Sequence, residues 1–193
     1  MKRAVIYVPG LGDRRSRGQR VAIWCWRIYG VRSEVVRMQW HVAEPLDTKL
    51  GQLLQRIDAL HEAGYAVSLV GVSAGAGAVV HAFARRQEIV SHVVCLCGKL
   101  QHPETISEST YRHNPAFAES LALLPRSLDA LADTTRSRVL SIRPLTDSSV
   151  PPEDTIVPGF ETTTIPSRGH AVSIGLGITL FSPLIIGFIR RSR

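Results

Sequence analysis

Short apolar runs alternate along the chain with stretches whose apolar residues recur three and four positions apart. Ala4-Val5-Ile6-Tyr7-Val8 reads as a buried strand that ends in a turn at Pro9-Gly10. Arg17 to Tyr29 reads as a helix closed by Gly30, and Ser33 to Met38 as a second strand. Leu46, Leu50, Leu53, Leu54, Ile57 and Leu60 recur at helical spacing, and Gly64 ends that helix. Ala66 to Val72 is a third strand, apolar nearly throughout, as expected where both faces are covered. Ala74 to Arg86 reads as helix, Val93 to Leu96 as a fourth strand, Val139 to Ile142 as a fifth and Thr162 to Ile165 as a sixth. This alternation predicts an α/β fold: a mostly parallel sheet of about six strands with helices on both faces.

Two segments depart from the rhythm. Residues 101–138 carry helical stretches, Phe117 to Leu124 and Leu128 to Ala132, but no strand. An insertion between the fourth and fifth strands lies over the C-terminal edge of the sheet, where open α/β folds bind ligands. The segment is therefore a candidate lid or substrate wall within a single domain spanning residues 1–193. From Ala171 to Ile189 there is no charged residue. One helix of that length would span about 28 Å, close to the thickness of a bilayer core. Ser182-Pro183 reads instead as a helix start, and Gly175 and Gly177 weaken a continuous span. The expectation is a buried terminal helix and no membrane span.

Composition adds modest constraints. The 193 residues are 45% apolar and 20% charged, ordinary for a globular domain. The net charge of +7 favours anionic partners, which include nucleic acid, anionic lipid and acidic substrates. No nucleic-acid-binding motif accompanies it, so no nucleic-acid partner is expected. Arg14, Arg15, Arg17 and Arg20 form the densest basic run, read as a solvated helix start or as a rim that attracts an anionic substrate. The three cysteines, Cys25, Cys95 and Cys97, have no framework or metal-site spacing. Cys95 and Cys97 alternate in an apolar run and are expected as buried free thiols on one strand face. Lys2-Arg3 followed by Ala4 to Val8 imitates a signal peptide, but the apolar run is too short, so a first strand in a cytoplasmic protein is expected.

The chemistry concentrates at Gly71-Val72-Ser73-Ala74-Gly75, a G-x-S-x-G sequence between a buried strand and a small-residue helix. The glycines permit a turn so sharp that side chains there would strike neighbouring backbone, and the turn lifts the serine hydroxyl clear of the sheet. A serine hydroxyl needs a base to take its proton. Among seven histidines, His170 alone combines a loop after the last strand, chain order and a preceding glycine. An acid to orient that imidazole should follow the fifth strand, and Asp147 is the first carboxylate there, with Glu153 and Asp154 as fallbacks.

In order and placement these elements resemble the α/β-hydrolase superfamily, in particular its small serine esterases. Asp147 followed by Val150-Pro151, and the Gly169-His170 pair, also fit that family. The resemblance covers essentially the whole chain, in a compact form that starts at the family's third strand. It implies Ser73, Asp147 and His170 as catalytic triad and an oxyanion hole made of backbone N–H groups. Ala74, after the nucleophile, supplies one, and Leu11, in the loop after the first strand, the other. Gly10, Gly12 and Asp13 of that loop are expected against the substrate. Where family members often carry His-Gly, this chain has Pro9-Gly10. The implied activity is hydrolysis of a carboxylic ester, thioester or amide through an acyl-enzyme, without metal or organic cofactor. The alternative is a non-catalytic binding module on the same scaffold. Trp40, Lys99 and Tyr111 are residues that could line the pocket.

Overall fold

The structure, a computed structural model, describes residues 2–192. Its sheet contains β1 (Lys2–Val8), β2 (Val31–Val35), β3 (Tyr65–Val72), β4 (Val90–Leu96), β5 (Val139–Thr146) and β6 (Glu161–Arg168). The spatial order is β2-β1-β3-β4-β5-β6 and every pairing is parallel. The chain thus steps outward from β1 to β2, returns to place β3 on the other side of β1, and continues outward in that direction. The crevice where direction reverses lies at the C-terminal ends of β1 and β3. There Val8 is in register with Gly71, so the turn after β1 adjoins the turn after β3.

Alternation along the strands divides the core between the two faces. Ala4, Ile6 and Val8 of β1 face one cluster, together with α2 (Leu46–Glu62), α3 (Ala74–Arg85) and α5 (Pro115–Asp129). Val5 and Tyr7 face the other, together with α1 (Arg17–Cys25), α7 (His170–Ile178) and α8 (Ser182–Ile189). Cys95 and Cys97 are both buried, but they do not share a face as expected: Cys95 joins the first cluster and Cys97 the second. Cys97 lies just beyond β4 with φ at +48°, and that backbone breaks the two-residue period. Burial pushes both thiols up to about 12, with the nearby Asp147 carboxylate adding to the effect at Cys97. Other boundaries shift: β2 starts and ends earlier than expected, and the first helix tightens into a 3-10 turn over Trp26–Tyr29.

Residues 101–138 form α4 (Glu108–His113), α5 and α6 (Asp133–Arg136). α5 runs through Pro125, where two separate helical stretches were expected. It seats against α3 so closely that a Cβ on Gly77 would come within 2.8 Å of Ser120 Oγ. His81 of α3 fastens this contact. Its Nδ1 lies 2.7 Å from Ser127 Oγ, and its Nε2 lies 3.0 Å from the Ser120 carbonyl oxygen. Burial lowers the His81 pKa from 6.5 to about 4. The unfolded chain therefore binds a proton in this interval that the folded chain refuses. Stability from this group is complete above about pH 6.5 and should decline toward pH 4, by at most about 3 kcal/mol. Chemical denaturation across that range should show the slope in the wild type and a flatter one in His81→Gln; equal slopes would assign the effect elsewhere.

The chain beyond β6 forms two helices, α7 and α8, bent by 58°. Ile185, Ile186, Phe188 and Ile189 of α8 are buried. No single described helix is long and apolar enough to cross a membrane; α7 and α8 meet that test of length and composition only as a bent pair.

Candidate active site

Sharp turns at the C-terminal ends of three strands converge on one place. After β3, Ser73 occupies φ +54°, ψ −122°, a sparsely populated conformation for a side-chain-bearing residue. The surrounding packing over-determines it. The Ser73 N–H donates to the Leu96 carbonyl at 3.1 Å, and its carbonyl accepts from the Ala76 N–H at 3.1 Å. The flanking glycines are required by contact: a Cβ on Gly71 would lie 2.4 Å from the Gly75 carbonyl oxygen, and one on Gly75 would lie 2.2 Å from that of Val8.

Ser73 Oγ lies 2.9 Å from His170 Nε2, and His170 Nδ1 lies 2.6 Å from Asp147 Oδ2. His170 opens α7 immediately after Gly169, whose φ of +79° turns the chain out of β6. Asp147 follows β5, and its other oxygen accepts the N–H groups of Ser149 at 2.8 Å and Val150 at 3.0 Å. The Asp147 side chain is fully buried and that of His170 is 19% exposed. A carboxylate only accepts, so the imidazole donates from Nδ1 and presents Nε2 as an acceptor for the serine hydroxyl. The fallback acids are elsewhere: Glu153 is exposed, and buried Asp154 pairs with Lys99 and with His102 Nδ1 at 2.6 Å.

These groups open into a cavity of about 430 Å³. Gly10, Leu11 and Gly12 line its β1 side. A Cβ on Gly10 would sit 2.8 Å from Ser73 Cβ, so only glycine lets this loop approach the serine. Asp13 departs from its expected place against the substrate. It is 1% exposed, absent from the cavity wall, and accepts the Gln39 N–H at 2.5 Å. Lys49 Nζ donates to the Gln39 carbonyl at 3.0 Å, so Asp13 ties the loop to the chain after β2. Trp40 also stands behind the loop, donating from Nε1 to the Pro9 carbonyl at 3.2 Å. The arginines at 14, 15, 17 and 20 are exposed and none lines the cavity, contrary to a rim around the substrate. Gln19 lines it instead, its Oε1 accepting the Tyr7 hydroxyl at 3.1 Å.

The opposite wall comes from the segment before β5, through Ile106, Thr110 and Phe117. Lys99 also lines the cavity although it is 1% exposed; its ammonium meets Asp154 and Thr105 Oγ1 at 2.5 Å. Sequence spacing does not reveal this pair, because its members come from different loops. The available signal was a lone lysine within the apolar stretch Leu96 to Leu100. Among the described residues, no group of three or more His, Cys, Asp or Glu side chains could hold a metal ion.

No family model and no curated protein sequence matches the chain. Solved structures do. Est1E from Butyrivibrio proteoclasticus superposes with a TM-score of 0.71 at 16% identity, covering 96% of this chain and 88% of that one. A chain from the work on LipS and LipT, two metagenome-derived lipolytic enzymes, gives 0.69 at 15%, with 99% and 94% covered. MGS-MChE2, an alpha/beta hydrolase enzyme from a sediment metagenome of the Mar Chica lagoon, Morocco, gives 0.66 at 17%, with 98% and 91% covered. The chain has the α/β-hydrolase fold.

Proposed function

We propose that the protein is a serine hydrolase of carboxylic esters, thioesters or amides, acting through an acyl-enzyme. The observation that carries the reading is the unbroken hydrogen-bonded line from Ser73 Oγ through His170 to buried Asp147, opening on a cavity. The lipolytic enzymes and hydrolases among the structural neighbours support it.

In the proposed reaction, Ser73 Oγ attacks the acyl carbon as its proton passes to His170 Nε2. Asp147 stabilises the imidazolium through Nδ1. The N–H of Ala74, first residue of α3, and that of Leu11, on the cavity wall, receive the developing oxyanion. Each such donor contributes about 3 kcal/mol to the transition state. The imidazolium then protonates the leaving group. Water, deprotonated by the same imidazole, attacks the acyl-enzyme, and the proton returns to Ser73 as the acid leaves. The apolar wall of Val72, Ile106, Phe117 and Ile174 suits an acyl or aryl group. Residues 101–138, which supply two of those four side chains, are the proposed lid.

Labelling with a fluorophosphonate tests the reading, because the probe reports an activated serine whatever the natural substrate. The wild type should take up one phosphonyl group with loss of fluoride, at Ser73. Folded wild-type protein that stays unlabelled would overturn it and return the scaffold to a binding role.

A further inference from the structure

We propose that the outer face of α1 docks on a membrane surface rich in anionic lipid. α1 buries Ile23 and, just beyond its end, Trp26 against the sheet. Its outer side is unusual. Val21 and Trp24 of α1, and Ile28 of the 3-10 turn that continues it, are spaced three and four positions apart and are 64%, 58% and 79% exposed. Isolated exposed apolar residues are ordinary, but a large aromatic and two branched aliphatic side chains on one helical stripe are not. Arginines flank these residues in sequence, and Arg17 and Arg20 line a shared surface hollow with Val21 and Trp24. Arg14, Arg15, Arg17, Arg20 and Arg27 are all exposed. No Asp or Glu occurs between Arg14 and Ser33, and among the described residues none of these five makes an ion pair. The Arg27 guanidinium lies 5.4 Å from the centre of the Trp24 ring, so cation and aromatic group are presented together.

Charge and apolarity select the occupant jointly. An amphipathic helix that lies in a membrane interface pairs a Trp- and aliphatic-rich stripe with flanking basic residues. The acyl boundary accepts the stripe while lipid phosphates meet the arginines. A second copy of this chain would bring the same arginines and the same +7 charge against them. A nucleic acid would satisfy the arginines yet leave the aliphatic stripe without a counterpart. The inference does not depend on the hydrolase reading, since the face stands outside the Ser73 cavity.

Co-sedimentation with vesicles of phosphatidylcholine, with and without phosphatidylglycerol, tests it. The wild type should pellet with the anionic vesicles, and raised salt should weaken this. Arg17→Glu with Arg20→Glu, and separately Trp24→Ser with Ile28→Ser, should each lower the affinity at least about tenfold. Tryptophan emission should shift to the blue on binding through Trp24, because Trp26 and Trp40 are already buried. Unchanged melting temperature would certify that the variants fold. Absence of vesicle binding, equal binding to neutral vesicles, or undiminished binding by Trp24→Ser with Ile28→Ser would overturn the proposal. So would a duplex DNA that binds more tightly than anionic vesicles and depends on Arg17 and Arg20 alone.

Discussion

Turnover of an activated ester should fall about a millionfold in Ser73→Ala and in His170→Ala, and about ten-thousandfold in Asp147→Asn. The first two follow from removing the nucleophile or its base. The third follows from hydrogen-bond direction. Asp147 Oδ1 is held by two donors, the N–H groups of Ser149 and Val150. An asparagine must therefore keep its carbonyl oxygen at that end and turn its NH2 toward His170 Nδ1. The imidazole would then have to accept at Nδ1 and carry its proton on Nε2, where Ser73 needs an acceptor. The fold should tolerate the change, because the two backbone bonds survive. Steady-state kinetics with melting curves check this. An Asp147→Asn enzyme within tenfold of wild type would sink the assigned role, since neither Glu153 nor Asp154 reaches His170. The double variant Ser73→Ala with His170→Ala should be no slower than either single one, because the groups act as a unit.

The sheet was legible because its central strands are continuous apolar runs ending at glycine-bearing turns. Ser73, Asp147 and His170 could be picked out because each sits one short step beyond a strand, so the parallel order alone brings them to one edge. Their direct contacts add what sequence spacing could not: which acid reaches the imidazole. What stayed hidden depends on backbone conformation or on pairing between distant loops. Cys97 left its expected face because of one positive φ. Asp13 looked like a polar loop residue open to substrate, but its partner is a backbone N–H beyond β2. Lys99 and Asp154 pair across 55 positions, and neither residue's neighbours in sequence announce the other. The arginines near residue 17 turn outward because α1 must present Ile23 and Trp26 to the sheet, which leaves the opposite side to solvent.

Gly75→Ala should destabilise the fold by about 3 kcal/mol and lower kcat by at least about a hundredfold, although alanine is the better helix former. Propensity favours alanine over glycine by about 1 kcal/mol inside a helix. Gly51, within α2, shows that term alone: an added Cβ meets nothing within 4 Å, so Gly51→Ala should be stabilising by roughly that amount. At Gly75 the Cβ would stand 2.2 Å from the Val8 carbonyl oxygen and 2.8 Å from that of Pro9. Both obstacles are backbone, so no rotamer change relieves them. Either α3 or the end of β1 must move. The turn after β1 carries Gly10 and Leu11, and the turn that opens α3 carries Ser73 and Ala74. Any shift between them separates the serine from one proposed oxyanion donor while leaving Asp147 and His170 in place beyond the ends of β5 and β6. Stability and turnover should therefore fall together at Gly75, and urea titrations of the two alanine variants should move in opposite directions. A Gly75→Ala protein as stable as wild type would mean that the close approach of α3 to β1 does not hold in solution, and with it would go the basis for placing Leu11 beside the serine.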